Sequence, residues 1–138
     1  MKHAATTAKW YEAVRSGDAD FLASVTTETV EVFWNGDPGL IAWAGLHRGR
    51  AAVLQFFGTI SHHVTIVEIK ASEQFTTDDA VIVLAAGRWV IRHNGRTVTA
   101  RMANVFKFEG DRVAAWHVYN DSAAFLVGLG ALTVPADR

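Results

Sequence analysis

From Val64 to Asn120 the chain reads as four long extended runs, Val64–Phe75, Ala80–His93, Thr97–Phe108 and Val113–Asn120. Only Thr76-Thr77-Asp78-Asp79, Asn94-Gly95 and Glu109-Gly110-Asp111 separate them. Asn-Gly between two alternating runs is a strong hairpin signal, because both residues tolerate the positive φ of a two-residue turn. Such a meander must bury one face, and the residues before it have to cover that face. Those residues read mostly as helix. Trp10, Ala13, Val14 and Gly17 fall at helical spacing, and Ser16-Gly17-Asp18 supplies a stop and a fresh N-cap. A short second helix turns Phe21, Leu22 and Val25 inward. Thr29–Asn35 is a β-branched and aromatic strand, broken by Gly36-Asp37-Pro38-Gly39. After a loop through Trp43 and His47, Gly49 to Ile60 reads as a third helix with Val53, Phe56, Phe57 and Ile60 inward. Helices first and an antiparallel meander after them make an α+β pattern. The expectation is one domain over residues 1–138, with three N-terminal helices in the concavity of a curved, mostly antiparallel sheet. That cone has a hollow able to hold a ligand.

Composition narrows what the hollow can do. Half of the 138 residues are hydrophobic, including eight Phe and five Trp, so a substantial core can form. The formal net charge of −1 gives no overall field for nucleic acid or an acidic membrane. With no cysteine there is no disulfide, thiolate nucleophile or iron–sulfur cluster. His62-His63 lacks any companion carboxylate at ligand spacing, so no metal is expected, and no organic cofactor is expected either. MKHAATTAKWYEAVRSG has no signal-like apolar run, and no stretch is long and apolar enough to span a bilayer. A soluble, cytoplasmic protein is the expectation.

Strand register decides which side chains line the hollow. A two-residue Asn94-Gly95 turn sets Trp89 opposite Ala100, Gly87 opposite Met102 and Ala85 opposite Asn104. A turn over Glu109–Arg112 sets Phe108 opposite Val113, Asn104 opposite His117 and Met102 opposite Tyr119. Side chains alternate faces. One face then carries Trp89, Met102, Asn104, Phe106, Ala115, His117, Tyr119 and Asp121, which looks like a pocket with apolar walls and a few polar groups. The other carries Arg88, Val90, Arg101, Val105, Trp116 and Val118, and reads as an outer face for a homodimer, with Arg88, Arg101, Val90 and Val105 at the contact. A slip of one residue would exchange the two sets.

Four stretches carry a resemblance. WYEAVRSGDADFL resembles the opening helix pair, and AWAGLHRGRAAVLQFF the loop entering the third helix, of the SnoaL-like group in the nuclear transport factor 2-like superfamily. VFKFEGDRVAAWHVYND resembles its last hairpin and AAFLVGLGAL its hydrophobic C-terminal tail. The superfamily includes polyketide cyclases, ketosteroid isomerases and limonene-epoxide hydrolases beside members that only bind or assemble. The resemblance implies that Asp121 stands where SnoaL-type cyclases hold their acid/base, with His117 able to serve from the same strand. Asn104 resembles the neutral oxyanion donor of ketosteroid isomerases, whose helix Tyr falls nearest Trp10, with Tyr11 one place off. Asn35 and Asp121 resemble the Asn and Asp of the epoxide hydrolases, but Phe33 stands where their Tyr would be and no Arg-x-Asp follows Ala85.

Two functions follow. The first is a cofactor-independent acid–base enzyme, an isomerase, cyclase or hydratase/dehydratase, acting on an apolar oxygenated small molecule. Asp121 and His117 would be catalytic, Asn35 and Asn104 would hold oxygens, and Tyr119, Trp43, Trp89, Met102 and Phe106 would bind the skeleton. The alternative is a non-catalytic binding or dimerisation module with a vestigial pocket. Asp121 has an equally local alternative, as N-cap of a helix over Ser122–Leu129.

Overall fold

A computed structural model describes residues 2–135. The chain runs α1 (Lys2–Ser16), α2 (Ala19–Ser24), β1 (Thr26–Trp34), β2 (Gly45–Arg48), α3 (Arg50–His63), β3 (Val64–Thr76), β4 (Ala80–Ile91), β5 (Thr97–Glu109), β6 (Arg112–Asn120) and α4 (Ser122–Leu129). The Asp18 carboxylate accepts from the Phe21 backbone N–H at 3.1 Å, capping α2, and Gly17 takes the positive φ that the tight α1–α2 junction requires. Six strands form one curved, unclosed sheet in the order β2-β1-β6-β5-β4-β3. Every neighbouring pair is antiparallel except β1 with β6. The α+β cone is therefore the architecture. The segment around His47 forms the edge strand β2 instead of an open loop, because Gly45–Arg48 pairs with β1 from Glu31 to Trp34.

The core lies between the inner face of this sheet and α1, α3 and α4. All five tryptophans are buried in it. Alternation along β4 and β5 is strict: Val81, Val83, Ala85, Trp89 and Ile91 point inward, as do Val98, Ala100, Met102, Asn104 and Phe106. Gly87 belongs to this face for a steric reason. A methyl group there would overlap the Trp89 indole, which lies across it.

The two hairpin registers depart from expectation in different ways. Between β4 and β5 the loop is longer than two residues, so Gly87 faces Ala100, Ala85 faces Met102 and Val83 faces Asn104. That is a shift of two residues, and an even shift leaves every side chain on its face. Between β5 and β6 the pairing begins as expected, Phe108 with Val113, and then a bulge intervenes. Lys107 pairs with Ala115, after which Phe106 faces Trp116, Asn104 faces Val118 and Met102 faces Asn120. One extra residue, Ala114, reverses the faces of the rest of β6. His117 and Tyr119 therefore turn outward and Trp116, Val118 and Asn120 turn inward, correcting the sequence-based assignment. Energetics favour the bulge. Burying an indole of 150–250 Å² contributes about 4–6 kcal/mol, against about 1 kcal/mol for a lost rung of the ladder.

Candidate functional site

The interior is built from side chains of every layer. Val14 of α1, Phe56, Phe57 and Ile60 of α3, Ile66 and Ile69 of β3 and Trp34, Trp89, Met102 and Trp116 of the central strands surround a residual cavity of about 10 Å³. That is room for a single water-sized probe, and an apolar wall keeps such a space dry. The rings pack edge to face and in parallel: Trp10 on Trp116 with centroids 5.4 Å apart, Trp34 on Phe125 at 5.6 Å, Phe57 stacked on Trp116 at 6.0 Å.

Few polar atoms enter this interior. Asn104 is fully buried; its Oδ1 accepts from the Trp116 indole N–H at 2.9 Å, and its Nδ2 has no partner. The Tyr11 hydroxyl, on a ring edge-on to Phe106 at 5.7 Å, has none either, nor do the Trp10 and Trp34 indole N–H groups. Burial pushes the Tyr11 hydroxyl far above its ordinary value, and the neighbouring Trp116 offsets only part of that. Tyr11 is thus a neutral donor throughout the physiological range. The buried polar residues among those described are Thr7, Thr26, Asn104 and Asn120, none of them an acid or base. The fully buried set offers donors and no general base; half-buried His47 adjoins it, its Nε2 2.9 Å from the Trp43 carbonyl and its ring 4.9 Å from that of Phe56.

The residues expected to serve as acid and base lie elsewhere. Asp121 is exposed at the end of β6, where its Oδ1 accepts from the Ala124 backbone N–H at 3.1 Å as N-cap of α4. His117 sits on the outer face, its Nε2 2.7 Å from Glu31 Oε2, while Glu31 Oε1 lies 3.5 Å from the Arg48 Nε. Tyr119 is half-exposed beside Phe33, ring centroids 5.7 Å apart. With Arg101, Ser72 and Asp121 it lines a shallow groove of about 400 Å³ that opens to solvent.

Asn35 does something the sequence reading did not foresee. Its Nδ2 donates to the Asn120 carbonyl at 2.9 Å and its Oδ1 accepts from the Asn120 N–H at 2.7 Å. The side chain imitates one more rung between the parallel strands β1 and β6, which occupies both of its polar ends. Trp43, before β2, packs on Trp34 and Phe125 at the α4 end of the core, and Phe106 packs among Trp10, Tyr11 and Trp116; neither walls the cavity. Trp89 and Met102 do wall it. Not counted as site residues from the sequence were Tyr11, set one place off the isomerase Tyr, Phe57, read only as inward on the third helix, Trp116, assigned to the outer face, Trp34 and the Glu31 partner of His117. Trp116 was signalled in Val113-Ala114-Ala115-Trp116-His117-Val118: large apolar residues three apart and then two apart mark a change of phase within a strand.

Among the described residues no group of three His, Cys, Asp or Glu is placed to hold a metal ion, and no helix is long and apolar enough to cross a membrane.

A six-stranded curved sheet wrapped on helices, with an aromatic interior and a few neutral donors, defines the class of small α+β cone proteins. The chain belongs to the SnoaL-like domain family, whose model matches residues 7–116. Solved structures agree on the fold. An NTF2-like protein of unknown function from Burkholderia pseudomallei K96243 superposes with a TM-score of 0.83 at 21% identity, covering 94% of this chain and 98% of that one. TerC, co-crystallised with polyporic acid, gives 0.81 at 16% identity over 94% and 99% of the two chains. A protein with a ketosteroid isomerase-like fold from Catenulispora acidiphila DSM 44928, in complex with trimethylamine, gives 0.76 at 14% identity over 96% and 95%. No curated protein shows significant sequence similarity to the chain.

Proposed function

We propose that the cone binds a small, largely apolar molecule carrying a hydrogen-bond acceptor, and that the interior recognises it with neutral donors without moving a proton. One observation carries this reading: the Asn104 amide and the Tyr11 hydroxyl are buried donors without partners, and no carboxylate or imidazole stands among the fully buried residues described. Each such group costs on the order of 1–3 kcal/mol while unpaired, a sum comparable with a good part of a domain's net stability. An occupant with a carbonyl or ether oxygen would return that cost. The TerC neighbour, co-crystallised with polyporic acid, is in keeping with a small organic ligand.

The test is a matched pair of probes, 9-fluorenone and fluorene, titrated by quenching of tryptophan fluorescence. The ketone should bind about fivefold to tenfold more tightly than the hydrocarbon, the worth of one neutral hydrogen bond. Asn104→Leu combined with Tyr11→Phe should remove that preference. Equal affinity for the two probes in the wild type would count against donor recognition.

Acid–base turnover as an isomerase or cyclase is the second reading. The groove that Asp121 shares with Tyr119 and Arg101 is what favours it, since a substrate lying there would meet a carboxylate, a phenol and a guanidinium together. Homodimerisation through the outer face is proposed beside either reading. Rung by rung, Phe75, Ile82, Val105, His117, Phe33 and Leu46 form one row across all six strands, and Phe75, Ile82 and Leu46 are well exposed.

A further inference from the structure

The inner cavity is far too small for any organic ligand, yet one of its walls is also the wall of something larger. Phe57 of α3 faces the cavity beside Trp116 and at the same time lines an outer groove of about 250 Å³ between α2 and α3. Gly17, Ala19 and Gly58 shape much of that groove, with Leu22 and Leu54 beside them. Neither Gly17 nor Gly58 has a heavy atom within 4 Å of where a Cβ would stand, so the space next to the ring is open. Phe57 is only half-buried, whereas Phe56 before it, Trp116 against which it stacks and Trp10 at its edge are all buried. Among the aromatic rings of the cavity wall, Phe57 is the one with free volume on its far side.

We infer that Phe57 is the gate of the cone: its ring swings outward into the groove left by Gly17, Ala19 and Gly58, and this rotation opens the path to the cavity and enlarges it. The inference rests on the reading of the cone as a ligand site. It adds the entrance, the residue that controls it and the reason for glycine at position 58. An exposed helical glycine forgoes helix propensity. Here the missing side chain is what keeps the landing space of the phenyl ring empty.

The kinetics of 9-fluorenone binding, followed by stopped-flow tryptophan fluorescence, test it with two substitutions of opposite effect. Phe57→Ala removes the gate and should raise the association rate at least tenfold. Gly58→Leu fills the groove from an exposed position without touching the cavity. It should lower the association rate about tenfold and weaken Kd by a similar factor, because the bound state also holds the ring outward, with the melting temperature unchanged or higher. A stable helix substitution with no part in entry would leave both the association rate and Kd as in wild type, so the second variant stands even if the first folds poorly. Binding by Phe57→Ala alone, with none by wild type, would also support the gate. Wild-type binding with rates unaltered in Gly58→Leu would overturn the gate and leave the ligand site standing. Absence of binding in wild type and Phe57→Ala alike would overturn both.

Discussion

Single residues here are assigned by their partners, and Asp121 is the clearest instance. Its carboxylate accepts the Ala124 N–H and its side chain is exposed, so its visible work is to start α4. Asn caps a helix as well as Asp does, whereas Ala leaves the first-turn donor bare. Asp121→Ala should therefore lose about 1 kcal/mol in chemical denaturation, while Asp121→Asn should stay within a few tenths of wild type. Were a substrate to be identified, a loss of turnover in Asp121→Asn at unchanged stability would move the chemistry to the outer groove and favour the acid–base reading. Asn35 shows the same principle: a residue type common in ligand contacts is wholly committed to the Asn120 backbone. Asn104 is the converse, with one end held by Trp116 and the other unspent.

At the level of elements, most of the architecture was legible from local chemistry. The Asp18 cap, the inward set of α3 and the alternation of β4 and β5 all follow from residue type and spacing. Even the mistaken turn at Asn94-Gly95 did no harm, because its error was even. What was misread was the β6 bulge: the apolar spacing from Val113 to Trp116 to Val118 marks a change of phase, but tertiary burial, and not local propensity, settles it. Trp116 and Val118 fill the interior better than His117 and Tyr119 would, and the two alanines 114 and 115 are small enough to take up the extra residue. The whole expected acid–base site lay downstream of that one position, which is why the fold was read well and the facing of His117 and Tyr119 was not. Edge strand β2 escaped for a related reason: Gly45-Leu46-His47-Arg48 shows no apolar–polar alternation in residue type and gains its ladder hydrogen bonds from β1. Deleting Ala114 should restore regular pairing and drive His117 and Tyr119 into the core. The expected result is a chain without a cooperative thermal transition. A deletion variant that melted like wild type would show that the bulge is incidental.

The molecule as a whole presents two surfaces with different work. Outside, the row from Phe75 to Leu46 crosses the full sheet, with Arg48, Glu31 and Lys107 along one side and Arg101, Arg88 and Glu68 along the other. A homodimer through this face should appear as a single dimeric species in sedimentation at micromolar concentration. Val105→Asp, at the centre of the row, should shift it to monomer. Inside, the cone is closed and aromatic, with no acid or base among the fully buried residues described and with Asn104 and Tyr11 holding donors in reserve. That contrast is the central claim, and a crystal structure grown with 9-fluorenone tests it most directly. The account predicts the ketone within the cone, its oxygen about 2.7–3.2 Å from the Asn104 Nδ2 or the Tyr11 hydroxyl, with Phe57 turned outward. A ketone seated instead in the outer groove against Asp121 and Tyr119, with the cone still closed, would contradict it.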